Sequence, residues 1–499
     1  MNATRRPAIA APLPRRRPRP NDTPPVTRGV AGPSRKPTTT RRAMPCDQER
    51  HVQMKLRDLA RGLPDFTDRK VIDRHMERLD SHGASRRDFL ALASAGVAAG
   101  FGAAALGLPA AAIASQNGKF AFLTGFMVNE WNTTFDRTAK TAAESLGIGY
   151  TSLDSQFDGE RQYNQFEQQV AAGVSGVIFN LSDGSAIRGL ARTAAQNRIY
   201  IANIWDSLPW FTPFDADDYY TLFAVSEEVT AQREVTEVLL AGVTERFGGG
   251  DIIGVTGSKG SLLELQRNRG RDAAFAKFPK TRLVDELPGL WNREDALKAT
   301  EDLLTRNPNV VGIVTQDDDI ALGAIAALNA AGLRPGEDVL VVGTSGTGLG
   351  SKAVKAGQML ATKGNSPALA AALFTTRLYD VTHGWVPRAS ERMLNWNTLT
   401  LTRDNIDGWI ERFVDNGDVE PFDYRKMSKV LHPDDWDPQA EVYPLDIDQS
   451  FGGIPKPEGY SYPPAYVAAR DTGERAAVAA EYAAHYKIKY DGPSPNRRA

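Results

Sequence analysis

The chain of 499 residues is 41% hydrophobic and 24% charged, ordinary values for a soluble α/β protein of two to four compact units. A formal net charge of -2 argues against nucleic acid as a main partner. The single cysteine, Cys46, excludes a disulfide framework or a thiolate metal site in everything after it.

Residues 1–84 carry Arg- and Pro-rich tracts such as "PRRRPRP" and "TTTRR". Their first half has no apolar periodicity and cannot bury a core. They are expected to be a disordered leader ahead of a later true start, with Met44, Met54 or Met76 as candidates. Ser85-Arg86-Arg87-Asp88-Phe89-Leu90 then resembles the twin-arginine export signal, with Ala91 where the pattern ends in Lys. The run to Ala114 is weakly apolar and closes on Ala112-Ile113-Ala114, a small-x-small cleavage pattern. It is long enough to span a bilayer, but its glycines and Pro109 favour a cleaved signal over an anchor. Residues 85–114, with Arg86 and Arg87 as the export determinant, are therefore expected to deliver the chain to the periplasm. Fold reasoning starts after Ala114.

From Lys119 short β-rich runs alternate with amphipathic stretches. The runs are 119–127, 148–155, 174–182 and 199–206, then "YYTLFAVS", 251–258, 281–287, 310–316 and 338–345. Continuous Val/Ile runs predict strands buried on both faces of a parallel sheet, and the 25–30-residue spacing suits right-handed βαβ crossovers. A long helix near 226–246 interrupts the rhythm. It predicts two doubly wound lobes rather than one sheet: 118–226 plus 366–398, and 227–365, with a C-terminal extension over 399–499.

In such sheets ligands bind beyond the carboxyl ends of the strands, so the residues that follow each strand are the site candidates. They are Asn129, Trp131 and Asn132, then Asn180, then Trp205 and Asp206. In the second lobe they are Arg269, Trp291, Asp317, Ser345 and Asn365. Indole faces pack on sugar C–H surfaces, while amides, carboxylates and a guanidinium satisfy vicinal hydroxyls. Each residue alone has a plain alternative, a core tryptophan or a helix-capping Asn or Asp. Together they point to a sugar or polyol. No catalytic residue, cofactor or metal is expected, since no ligand-spaced histidines or nucleophile elbow is present.

The stretches "NEW" (129–131), "LDSQ" (153–156), "GVSGVIFNLSD" (173–183), "RNRG" (267–270) and "QDDDIALGAIAALNAAG" (316–332), in that order, resemble the type I periplasmic sugar-binding proteins of the ribose-binding group. The resemblance covers about 119–384. It implies the periplasmic-binding-protein type I fold: two lobes joined by a hinge, monomeric, delivering a sugar or polyol to an ABC permease. It also implies ligand contacts at Asn129, Trp131, Asn132, Arg269, Trp291, Asp317 and Asn365, with either Trp205 or Asp206 in the carboxylate place. Thr344-Ser345 stands where the family often has an Asp, which favours a ligand other than ribose.

Two other readings compete. A twin-arginine-exported sugar oxidoreductase would use "GTSGTGLG" (343–350) as a phosphate loop, but Ser351 stands where the dinucleotide fingerprint needs glycine. A lactose-repressor-type regulator would need a DNA-binding headpiece where the export signal stands. The Pro-, Tyr- and Trp-rich extension is expected to wrap and stabilise one lobe.

Overall fold

The computed structural model describes residues 118–497. The Arg/Pro leader, Arg86, Arg87 and the cleavage pattern at Ala112–Ala114 lie outside the described residues.

The first lobe opens with β1 (Lys119–Thr124), α1 (Glu130–Ser145), β2 (Gly149–Asp154), α2 (Gly159–Ala171), β3 (Gly176–Asn180), α3 (Ile187–Asn197), β4 (Tyr200–Ile204) and β5 (Tyr220–Ser226). The chain crosses to the second lobe with α4 (Glu228–Phe247), β6 (Gly250–Thr256), α5 (Leu262–Phe275), β7 (Thr281–Pro288), α6 (Arg293–Arg306) and β8 (Gly312–Thr315). That lobe continues with α7 (Asp318–Ala330), β9 (Leu340–Val342), α8 (Gly348–Ala356) and β10 (Ala361–Gly364). The return crossing leads into α9 (Pro367–Thr382) and β11 (Met393–Trp396). A third crossing leads to β12 (Leu399–Thr402) and α10 (Ile406–Phe413). Last come β13 (Val442–Pro444), α11 (Ile447–Ser450), α12 (Pro464–Asp471) and α13 (Glu474–His485).

The sheet orders are β13-β11-β5-β4-β3-β1-β2 and β12-β10-β9-β8-β6-β7. Each contains the same doubly wound order, with β1 between β2 and β3 and β6 between β7 and β8. Those two places, where the winding reverses, open a crevice at the strands' carboxyl ends. β3 and β5 are buried along their whole length, as their unbroken apolar runs require of strands covered on both faces. α9 is buried from Pro367 to Val381. Its alanines 368 and 370–372 allow close packing against α1, whose Ala139, Ala142 and Ala143 are fully buried.

β1, β3, β4, β6 and β9 end two or three residues earlier than the apolar runs predict. Asn129 and Asp317 end the extended stretch because their side chains cap α1 and α7, accepting from Asn132 N and from Asp319 N and Ile320 N.

The extension does not wrap one lobe, as the sequence suggests. It adds an antiparallel edge strand to each sheet: β12 beside β10, and β13 beside β11. Its 428–430 segment is fixed to the first lobe by Asp380, whose carboxylate accepts from Ser428 Oγ (2.5 Å), Lys429 N (3.1 Å) and Val430 N (3.2 Å). Lys429 Nζ bonds Glu391 (2.5 Å) and Glu481 (3.1 Å) and lies 4.1 Å from the centre of the Trp436 ring. Burial would raise the Glu391 carboxyl, but the hydrogen bond from Arg388 and the charge of Lys429 outweigh it and hold it at about 2.

Candidate functional site

Between the lobes, at the reversal points of both sheets, lies a narrow cavity of about 30 Å³. The first lobe lines it with Phe126, Asn129, Trp131, Asn132, Asn180, Trp205 and Asp206. The second contributes Leu263, Arg267, Trp291, Asp317 and Ser345.

The first-lobe wall is aromatic and amide-rich. Trp131 and Trp205 pack with ring centroids 4.1 Å apart. Asn132 Oδ1 accepts from Asn180 Nδ2 (2.9 Å) and Thr124 Oγ1 (3.4 Å), which fixes the amide's orientation. Asn129 both caps α1 and sends Nδ2 across the mouth to Trp291 O (3.4 Å), so capping and lining are one role. Trp205 and Asp206 both line the cavity. Trp205 Nε1 donates to Glu228 (3.2 Å), and Asp206 Oδ1 accepts from Leu262 N at the start of α5 (2.9 Å).

Trp205 and Trp291 have φ of 61° and 60°. A bulky residue in the left-handed region costs on the order of 1–3 kcal/mol, and such positions cluster at ligand sites. Trp291 is seated against Gly257, where a Cβ would stand 1.9 Å from the indole. Only glycine fits beneath that ring.

The second-lobe wall carries the charge. Arg267 is buried, with its guanidinium on Glu228 (2.7 Å) and Gln316 O. Ser345 Oγ donates to Asp317 (2.9 Å). Burial, then the charges of Asp319 and Asp318, push the Asp317 carboxyl up to about 8 against the opposing effects of Arg267 and Ser345. It therefore holds its proton to higher pH than a free carboxyl does. Burial raises Asp206 to about 6 despite bonds from Leu262 and Leu263 N–H.

Two expected residues are not on the wall. Arg269 is exposed and points away toward the turn at Gly453, 3.3 Å from where a Cβ there would stand. Two residues along a helix is a turn of about 200°, so Arg267 faces the cleft and Arg269 cannot. Asn365 stands one layer behind. Its Oδ1 accepts from Trp396 Nε1 (3.2 Å), its Nδ2 reaches Glu228 (3.5 Å), and its backbone O accepts from Trp131 Nε1 (3.3 Å). Sequence reasoning missed Arg267, although α5 offers both arginines. The buried Gln266–Arg267 and Gly270–Arg271 pairs give the helical phase that selects it.

The loop of 343–350 already holds two of the chain's own carboxylates. Asp318 accepts from Thr347 N (2.9 Å) and Thr362 Oγ1 (2.6 Å). Glu130, from the first lobe, accepts from Gly348 N (2.7 Å) and Leu349 N (3.1 Å). The anion at this helix start is thus internal, and the loop closes the cleft mouth. Asp319 accepts from Glu130 N (2.9 Å) on the same seam.

His432, the histidine beside the extension's paired aspartates, bonds Asp435 at 3.1 Å within a tight turn. No group of three or more metal-ligating side chains occurs among the described residues. No helix there is long and apolar enough to cross a membrane.

Residues 120–384 match the model of the periplasmic binding protein domain. The D-allose-binding periplasmic protein of Escherichia coli K12 is 27% identical over 273 residues, 54% of this chain and 86% of that protein. The xylitol-binding protein of Mycolicibacterium smegmatis is 34% identical over 122 residues, 24% of this chain and 34% of that one. Among solved structures, a twin-arginine translocation pathway signal protein from Burkholderia phytofirmans superposes with a TM-score of 0.56. It is 22% identical and covers 61% of this chain and 95% of its own. With over half its length matched and its two lobes wound alike, the chain belongs to the periplasmic binding protein family, in its type I architecture.

Proposed function

We propose that the protein is an exported solute-binding protein that captures a sugar or polyol in the interlobe cleft and hands it to an ABC permease. One observation carries this reading: an aromatic and amide wall faces a charged wall across a closed cleft. Trp131, Trp205 and Trp291 offer flat faces for C–H surfaces, while Asn132, Arg267, Asp206 and Asp317 offer donors and acceptors for hydroxyls. The relatives named for D-allose and xylitol support the ligand class. The twin-arginine name of a structural neighbour supports export directed by Arg86 and Arg87.

Contacts from both lobes mean that ligand binding favours the closed arrangement, which a permease can distinguish from the empty one. Scanning fluorimetry of the purified protein against D-allose, D-ribose, xylitol and myo-inositol tests the reading. A ligand that binds only the folded state raises Tm by mass action. A flat response across a broad sugar and polyol panel would count against it.

A further inference from the structure

We infer that the C-terminal extension is a hinge brace that limits how far the lobes open before a ligand completes their closure. The inference rests on the hinged reading above and adds a restraint to it. The two lobes are joined at three crossings: Ser226–Glu228, Gly364–Pro367 and Trp396–Leu399. Two tyrosines of the extension bond to all three. Tyr490 Oη donates to Gly364 O (3.0 Å) and accepts from Ser366 N (3.0 Å). Tyr443 Oη donates to the Glu227 carboxylate and shares that one proton with Asn397 Oδ1 (3.1 Å).

A single phenol that bridges a carbonyl and the N–H two residues later fixes the dihedrals of the residue between them. That residue is Asn365. Rotation there must break one of the two bonds, and hinge motion is absorbed by a few such dihedrals. Tyr443 ties the first crossing to the third, so neither can swing alone. Both hydroxyls are rigidly delivered. Arg412 donates to Tyr490 O (3.2 Å) and Gly492 O (3.0 Å). Trp409, whose Nε1 donates to Gly346 O (2.9 Å), packs edge-on to the Tyr490 ring. β13 holds Tyr443 in the first sheet. The extension also reaches the second lobe, where Gln266 Nε2 donates to Gln449 O (3.4 Å) and Lys352 pairs with Asp415 (2.8 Å). Opening must therefore strain or release a strap fastened to both lobes.

The test is a distance measurement without ligand. Full-length protein carrying Cys46→Ala receives spin labels at Lys140→Cys on α1 and Lys298→Cys on α6, both exposed positions on helices that flank the mouth. Pulsed electron paramagnetic resonance should give a main short distance with a minor long-distance population. Tyr443→Phe with Tyr490→Phe keeps the rings and removes the hydroxyls. It should raise the long-distance population by about five-fold for each bond lost. If the double variant fails to fold by circular dichroism, Tyr443→Phe alone carries the test. A Glu130→Lys control breaks the mouth seam instead. A longer distance in that control with no change on loss of the hydroxyls would overturn the brace and leave the hinge standing. No change in any variant would overturn both.

Discussion

In the cleft Asp317 is pushed up to about 8 and Asp206 to about 6, whereas at the seam between the extension and the first lobe Glu391 is held at about 2. All three carboxyls are withdrawn from water, so burial alone does not separate them. The seam gives Glu391 a lysine and an arginine at bonding distance. In the cleft the nearest cation, Arg267, is already bonded to Glu228, and further aspartates crowd Asp317. Fully paired buried charge marks a fastening. Under-paired buried charge marks a place where a partner is still to come.

The contrast is most easily broken at the seam. Glu391→Gln leaves Lys429 with Glu481 as its one remaining carboxylate and should cost about 1.5–3 kcal/mol of unfolding free energy, measured by urea titration. The sign with pH follows from the lowered value. The stabilisation from Glu391 is fully present above its unfolded value near 4.5 and is lost as pH falls toward 2. In the cleft, Arg267→Ala removes a wall donor and strands Glu228. Calorimetric titration with a sugar identified by scanning fluorimetry should show a loss on the order of 2–5 kcal/mol of binding. Asp317→Asn should act in the opposite sense to the seam variant. A raised carboxyl contributes least when ionised, so wild-type stability falls as pH rises from about 4 through 8. Asn caps a helix as well as Asp does. The variant should therefore match wild type near pH 4 and exceed it by more than about 1 kcal/mol above pH 8, read as Tm across pH.

Much of this contrast is legible in the residues. Strand rhythm points to both lobes because parallel strands covered on two faces leave unbroken Val/Ile runs. The crevice follows because strand ends become helix caps. Nine of the eleven candidate wall residues line the cavity. The two misses have separate causes. Arg269 fails by helical phase, which a pattern of two arginines does not set. Asn365 fails because a residue after a strand can face the hinge as well as the crevice. The roles of β12 and β13 were not legible: strands of four and three residues carry almost no periodicity, and their partners are distant in sequence. The brace was hidden for the same reason, since nothing local to Tyr490 announces a bond to Gly364.

The central claim, that ligand is held by the crevice wall and not by its outer helices, is tested most directly by titrating two variants side by side with a sugar that raises Tm. Trp291→Ala removes an indole that lines the cavity, and should weaken binding at least about ten-fold, or 1.4 kcal/mol. Arg269→Ala removes an exposed side chain outside the cavity and should bind within about 0.5 kcal/mol of wild type. Tight binding by the Trp291 variant together with loss in the Arg269 variant would contradict the placement of the site.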